Sequence, residues 1–402
     1  MDPVANPYAP GAGRTPAALV GRDRQREAWR VGLDRVERGR TAQPVVLYGL
    51  RGVGKTVLLS SFRSAAAARG WVVAQVEAGR GSSGGGASGA GSRASLRGAI
   101  GEALHAPLVD LARPSAGRRL LAALRTALSF KASYDTAGTW NFGVDLGDAK
   151  GGGADTGVLE ADLAKLVRDV SAGAAEEGVG LALLVDEAQD ATADELAALC
   201  AVAHAAGQQD WPVLVALAGL PSLPRVLAEA KSYAERLFVY ERIEQLPPDA
   251  AVQALVAPAV AEGVHWTDGA VELVVAATGG YPYFLQQFGQ ECWNEAEGGT
   301  IAHADARVGA ARGRAALDDG FFRSRWDRAT SAEQAYLRAM AADGDAGSPS
   351  GEVAARLGRK VASLGPARAS LIAKGLVYAP EHGVVAFTVP GMADFIGRQP
   401  AG

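Results

Sequence analysis

The sequence predicts an α/β protein built on a parallel sheet, and three observations carry that prediction. Segments of strand length and character, Val45–Tyr48, Trp71–Val76, Leu181–Val185 and Val213–Ala218, alternate with segments of helical spacing. Leu181–Val185 and Val213–Ala218 are apolar at every position, as strands covered on both faces require. A glycine-rich segment, Gly49–Thr56, separates the first strand from the helix that follows it. Strands alternating with helices give a parallel sheet with helices packed on its faces.

Taken in order, residues 1–19 form a leader rich in Pro, Gly and Ala, expected as a clasp or a disordered arm. Arg24–Arg38 reads as a helix, with Trp29, Leu33 and Val36 at helical spacing. Thr56–Arg69 is the next. The low-complexity stretch 79–92 is expected to be a flexible loop. Leu108–Leu128 reads as a helix that is basic around Arg118, Arg119 and Arg125. Residues 130–157 are rich in Gly and Asp, and the alternation at Trp140–Val144 suggests a hairpin within an insertion. Leu159–Ala174 is amphipathic, and Asp194–Ala205 is helical. From Pro248 the pattern turns helical, through Gly280–Tyr281–Pro282 to Phe322. The organisation expected is a leader (1–19), a core (20–247, with 79–157 as Gly-rich loop and insertion), a helical lid (248–329) and a terminal unit (330–402).

The bulk numbers exclude several classes. A net charge of −4 over 402 residues gives no whole-chain attraction to nucleic acid. Residues 301–402 carry 13 Arg or Lys against 10 Asp or Glu, so any such contact is expected near the C-terminus. Two cysteines, Cys200 and Cys292, are too few for a disulfide framework and point to a reducing compartment. The N-terminus lacks the basic patch and apolar run of a signal peptide, and no apolar stretch approaches membrane-spanning length. A soluble, cytoplasmic protein without membrane contact is expected.

The sharpest chemical signal is Gly49–Leu50–Arg51–Gly52–Val53–Gly54–Lys55–Thr56, a full G-x₄-G-K-[ST] match between a strand and a helix. Glycines let backbone N–H groups curl around phosphate oxygens at a helix N-terminus. Lys55 is then expected to reach the β- and γ-phosphates of ATP, and Thr56 to ligate Mg²⁺. The run Leu181–Val185 ends in Asp186–Glu187, which suits a second carboxylate for Mg²⁺ and a base for the attacking water. Together the two motifs predict the sheet of a P-loop NTPase.

With Val20–Gly21–Arg22 upstream, these residues resemble the AAA+ ATPases, and in particular a bacterial group of ATP-binding proteins related to archaeal ATPases and origin-recognition-type proteins. The likeness extends through Asn6–Pro7–Tyr8, Pro10–Gly13, Leu47–Leu59, Ala230–Phe238, Gly279–Gln286 and a terminal winged helix, nearly the whole chain. It implies that Val20 and Arg22 line the adenine pocket, and that Val57 and Pro282 join Gly49, Gly52, Val53 and Gly54 around the nucleotide. It further implies that Arg236 is an arginine finger acting on a neighbour in a homo-oligomer. The alternative is a surface Arg paired with Glu235 or Glu241. The strand Val213–Ala218 leads not to the polar sensor residue usual in this family but to Gly219–Leu220–Pro221–Ser222, so Ser222 or Gln189 is expected in that role. No second-sensor arginine stands out in the helical region, and hydrolysis is expected to be slow or partner-dependent.

The terminal unit reads as three helices, Ser331–Ala341 with Ser331 as N-cap, Ser350–Leu357 and Val361–Lys374, followed by strands at Gly375–Tyr378 and Val384–Val389. Leu364, Leu371 and Ile372 are its expected core, and Pro366 is expected to tilt or break the third helix. A winged helix of this kind places Arg359, Lys360, Ser363 and Arg368 near double-stranded DNA. Two functions follow: an ATP-dependent switch or loader acting on DNA, or a signalling ATPase of the STAND kind whose winged helix is a protein-docking lid.

Overall fold

The computed structural model describes residues 1–79, 95–112, 117–132 and 152–400. The expected loop at 79–92 lies outside the described residues except for Gly79, and the expected hairpin at Trp140–Val144 lies outside them entirely.

Helix α1 (Asp23–Glu37) leads into β1 (Val45–Tyr48), α2 (Lys55–Ala67) and β2 (Val72–Glu77). After α3 (Leu96–Leu111), α4 (Arg118–Ala132) and α5 (Leu159–Glu176) come β3 (Leu181–Asp186), α6 (Ala193–Gln208) and β4 (Val213–Gly219). Helix α7 (Leu223–Ala230), the single turn α8 (Ala234–Leu237) and β5 (Val239–Arg242) complete the core. The five strands form one parallel sheet in the order β2-β3-β4-β1-β5. Period-two alternation sends Leu47, Leu184 and Leu214 to one face with α1 and α2, and Val46, Leu183 and Val215 to the other with α3 to α7. Both faces are buried, which explains the uninterrupted apolar runs of β3 and β4. Parallel strands also bring the loops after β1, β3 and β4 to one edge of the sheet, where the site assembles.

One expectation is corrected and one strand is added. The single helix read at Leu108–Leu128 is in fact the end of α3 and most of α4, with Pro114 in the sequence between them. Glu176 caps the start of α4, accepting from Arg119 N (3.4 Å) and Leu120 N (3.2 Å). Strand β5 escaped the sequence reading because it is a half-exposed edge strand, Val-Tyr-Glu-Arg, with no apolar run.

The lid comprises α9 (Pro248–Ala261), β6 (His265–Trp266), α10 (Asp268–Thr278), α11 (Pro282–Glu295), β7 (Thr300–Ile301) and α12 (His303–Ala316). A π-helical turn, Leu317–Phe322, passes to the short α13 (Arg323–Trp326). The leader packs on the lid as a clasp. Tyr8 is 2% exposed; its hydroxyl donates to Leu255 O and accepts from Trp266 Nε1 at 2.9 Å. Asn6 Nδ2 donates to Gln290 O at 3.1 Å and to Asn294 Oδ1 at 2.9 Å. The ring of Tyr8 fits because position 289 is glycine: a Cβ there would stand 2.6 Å from Tyr8 Cδ1.

The terminal unit runs α14 (Ser331–Ala341), β8 (Ser348–Pro349), α15 (Ser350–Arg356), α16 (Val361–Ala373), β9 (Val377–Tyr378), β10 (Val384–Phe387) and α17 (Met392–Gly397). Its strands pair antiparallel in the order β8-β10-β9, the element order of a winged helix. The N-cap of α14 is Thr330, one residue before the expected Ser331, because Thr330 forms a capping box with Glu333. Helix α16 runs through Pro366 without a break: this early in the helix, the proline forfeits only the bond to the Ala362 carbonyl. Leu364 and Leu371 are buried as expected, whereas Ile372 is only partly so. One apolar cluster runs from the α1–α2 face through the lid into this unit, where Phe322 stacks on Phe395 with ring centroids 5.4 Å apart.

Candidate nucleotide site

The glycine-rich loop turns from β1 into α2 in a space that only small residues permit. A Cβ on Gly49 would lie 2.0 Å from Ile243 O, so the loop's entry closes against the end of β5. Gly52 has φ of +86°, and a Cβ on it would meet Tyr281 Cε1 at 3.0 Å. Tyr281 in turn donates from its hydroxyl to Arg51 O, and Tyr283 N donates to Gly52 O at 3.3 Å. The Gly280–Tyr281–Pro282 break thus ties the lid to the phosphate loop, with Pro282 lining the cavity at the first turn of α11.

Lys55 is buried, and its Nζ donates to Gly49 O at 2.9 Å and Leu50 O at 2.8 Å. Burial pulls its pKa down to about 8, with nearby Arg51 adding to the effect and Glu187 and Asp186 opposing it. Thr56 Oγ1 donates to Asp186 Oδ2 at 2.6 Å, and Glu187 N donates to Asp186 Oδ1 at 2.8 Å. Burial raises the pKa of Asp186 despite these bonds. A hydroxyl and a buried carboxylate side by side at a helix N-terminus are hard oxygen donors, and they fit Mg²⁺, which takes few protein ligands and completes its shell with water and phosphate.

Glu187 sits at a backbone φ of +47°, unusual for a residue with a side chain. Both its carboxylate oxygens are engaged: Oε1 meets Arg51 Nη1 at 2.9 Å, and Oε2 accepts from Gln189 Nε2 at 2.7 Å. Gln189 Oε1 also accepts from Leu220 N at 2.8 Å, so this amide spans the ends of β3 and β4. Of the two sensor candidates, Gln189 is the one bonded to Glu187; Ser222 lies at the start of α7.

The remaining expected nucleotide residues, Val20, Arg22, Val53, Gly54 and Val57, line the cavity together with Gly52, Lys55 and Thr56, while Gly49 stands behind the loop. Arg22 is buried and donates to Val53 O at 3.2 Å and to Glu244 O, bracing the loop against the segment after β5. Sequence reasoning missed one wall. Leader residues Ala9–Arg14 close the cavity opposite the loop, and a Cβ on Gly13 would lie 3.5 Å from Thr56 Cγ2. The available signal was Tyr8, the single aromatic in a leader rich in Pro, Gly and Ala.

Arg236 lies elsewhere. It precedes β5, whose first residue Val239 pairs with Val45 at the start of β1, whereas the phosphate loop follows Tyr48 at the other end. Arg236 is exposed and forms no ion pair among the described residues; Glu241, a possible partner, is instead bonded to Arg24 and Gln25. Arg359, Lys360 and Ser363 are exposed at the start of α16. Arg368 is not: it faces a cavity of about 630 Å³ between α16 and the core loops holding Gln189 and Ser222, with its Nε buried and unbonded. Its side chain is half-buried on the side of α16 that faces the core, apart from the exposed Arg359, Lys360 and Ser363.

Residues 18–216 match the family described as an AAA ATPase domain. The P-loop core is an AAA ATPase domain. Residues 319–396 match a family described as a domain of unknown function. No curated protein matches the chain. Among solved structures, the fold is similar to that of the Walker-type ATPase PABY2304 of Pyrococcus abyssi, at 15% identity and a TM-score of 0.53, over 94% of this chain and 96% of that one. The RuvB Holliday junction branch migration motor of Thermotoga maritima matches at 14% identity and a TM-score of 0.42, over 91% and 92% of the two chains. The ORC1 protein of Aeropyrum pernix, in complex with DNA, matches at 14% identity and a TM-score of 0.42, over 96% and 94%. The AAA ATPase domain here carries its lid and terminal unit on the same edge as the phosphate loop: Arg51 N donates to Thr388 O at 2.9 Å. No helix among the described residues is long and apolar enough to cross a membrane.

Proposed function

We propose that the chain is an ATP-hydrolysing molecular switch whose winged-helix unit rests on the ATPase core and acts on double-stranded DNA when released. One observation carries this reading: Arg51 of the phosphate loop is bonded at once to Glu187 and, through its backbone, to Thr388 of the terminal unit. A change at the phosphates therefore reaches the hydrolytic carboxylate and the winged helix through a single residue.

In this reading Lys55 holds the β- and γ-phosphates, and Thr56 and Asp186 hold Mg²⁺, which when bound would neutralise charge on the phosphate oxygens. Glu187 accepts the proton of the attacking water once it is free of Arg51, and Gln189 orients it. Arg236, exposed and without an ion pair among the described residues, completes the site of a neighbouring copy in a homo-oligomer. Arg359, Lys360 and Ser363 form the DNA-facing edge of α16.

A second reading is favoured by the position of Arg368. With one side of α16 turned to the core, the winged helix resembles the docked lid of a signalling ATPase whose partner is a protein. Measuring ATP turnover with and without double-stranded DNA at two salt concentrations separates the two. Stimulation that weakens at higher salt supports the DNA-acting switch. Slow turnover without a DNA response, in a protein that purifies with bound nucleotide, transfers the assignment to the signalling switch.

A further inference from the structure

The nucleotide cavity contains a cation that none of the motifs accounts for. Arg325 lies in α13, at the junction of lid and terminal unit. Its guanidinium stacks over the Phe321 ring at 4.0 Å, and Nη1 donates to Phe321 O at 2.5 Å. Among the described residues it has no carboxylate partner, yet it lines the same cavity as Arg51, Lys55, Thr56 and Glu187. Its charged neighbours are Arg51 and Arg328, and burial together with these like charges brings its pKa down to about 10.

A half-buried guanidinium facing another guanidinium across a cavity is unfavourable until an anion enters. Arg51 has partial compensation from Glu187; Arg325 has only a carbonyl and a ring face. We propose that Arg325 and Arg51 form a two-arginine clamp for the terminal phosphate of ATP, and that this phosphate draws Arg51 away from Glu187. The proposal rests on the reading of this cavity as the ATP site and deepens it, by naming what distinguishes ATP from ADP.

The geometry accounts for the selectivity. Arg51 already lies against Glu187, on the side where water attacks the terminal phosphate, so an anion between the two arginines sits at the γ position while Lys55 spans β and γ. Guanidinium groups meet phosphate oxygens in pairs of charge-assisted hydrogen bonds, stronger than the single contact Arg51 makes with Glu187. Once Arg51 turns to the phosphate, Glu187 retains only Gln189 and has Oε1 available for water. The clamp also spans the moving parts, because Arg51 is bonded to Thr388 and Arg325 belongs to the segment that leads into α14.

The experiment compares the affinities of ATP and ADP, with fluorescent analogues, for the full chain and for R325M, R325K, R51A and K55A. R325M is expected to weaken ATP about 10- to 100-fold and ADP less than about threefold, since a bidentate arginine–phosphate contact is lost only where the γ-phosphate exists. R325K, which keeps the charge and loses the fork, is expected in between, and it serves if R325M does not fold. R51A is expected to erase the preference for ATP. Equal weakening of ATP and ADP in both Arg325 variants, or no change in either, overturns the clamp. Unchanged affinity in K55A instead overturns the reading of the cavity itself.

Discussion

The Thr56 hydroxyl donates to Asp186 Oδ2 across 2.6 Å, joining two motifs that lie 130 residues apart in the chain. The contact exists because β1 and β3 flank β4 in one parallel sheet, so the helix after the first and the carboxylate at the end of the second face each other. Glu187 and Lys55 stand next to this pair in the chain, so the bond marks the centre of the site. Its consequences can be tested outwards from the centre.

The leader wall makes the first test. Tyr8→Ala removes a buried ring and two hydrogen bonds that anchor the strand of chain passing over Thr56, with Gly13 against it. A cost of about 3 kcal/mol in stability is expected, typical of a large aromatic truncated in a packed site. ATP affinity is expected to fall as well, because Ala9–Arg14 loses its position over the cavity. Thermal melts and nucleotide titration of the same variant check both parts, and unchanged affinity in a destabilised variant would restrict the leader to a structural role.

Arg236 tests the oligomer. If it completes a neighbour's site, Arg236→Ala binds ATP normally and loses roughly 10³-fold in turnover, the lower range for such arginines. Mixing it with Glu187→Gln is expected to restore part of the activity, because a mixed interface pairs an intact Glu187 with an intact Arg236. A monomer by light scattering under ATP, with no rescue in the mixture, retires that role.

Glu333 supplies a pH test of the terminal unit. It caps α14 and accepts from Lys374 Nζ at 2.6 Å. Although burial opposes ionisation, bonds from Lys374, Ser370 and Thr330 together hold its pKa at about 2, below its ordinary 4.5. A folded-state value below the unfolded one means the stabilisation is fully present above about pH 5 and is lost as pH falls through 4 towards 2. Glu333→Gln is therefore expected to melt lower than wild type at pH 7, by about 2 kcal/mol, with the gap closing towards pH 2. A gap that is constant with pH would assign the loss to packing.

The legible part of this protein was the part in which chemistry and backbone coincide. Gly49–Thr56 and Asp186–Glu187 need their residue types in that order, and both fell where the sequence reading put them. Strands β3 and β4 were the most legible, because burial on both faces leaves almost no polar position. Strand β5 was not, since its four residues, Val-Tyr-Glu-Arg, are nowhere buried and hold no apolar run. The wall formed by Ala9–Arg14 depends on where Tyr8 docks, 247 residues from its Leu255 partner, and no local pattern encodes that. Arg325 was equally silent, being one of three arginines between Arg323 and Arg328 until the fold turns it into the cavity. Arg368 shows the converse: the likeness to a winged helix grouped it with Arg359 and Ser363, but the position of the whole unit on the core decides what it faces.

The central claim is that this chain hydrolyses ATP with Glu187 as the base, and phosphate release under single-turnover conditions tests it most directly. ATP binding should be read in the same samples, for wild type and Glu187→Gln. The amide keeps the size of the side chain and leaves Asp186 and Thr56 in place, but it is a poor acceptor for a proton. The account predicts that both proteins bind ATP within a few-fold of each other, while the variant loses about 10²–10⁴-fold in turnover, the usual contribution of a positioned general base. Turnover in Glu187→Gln at the wild-type rate, with binding intact, would contradict it.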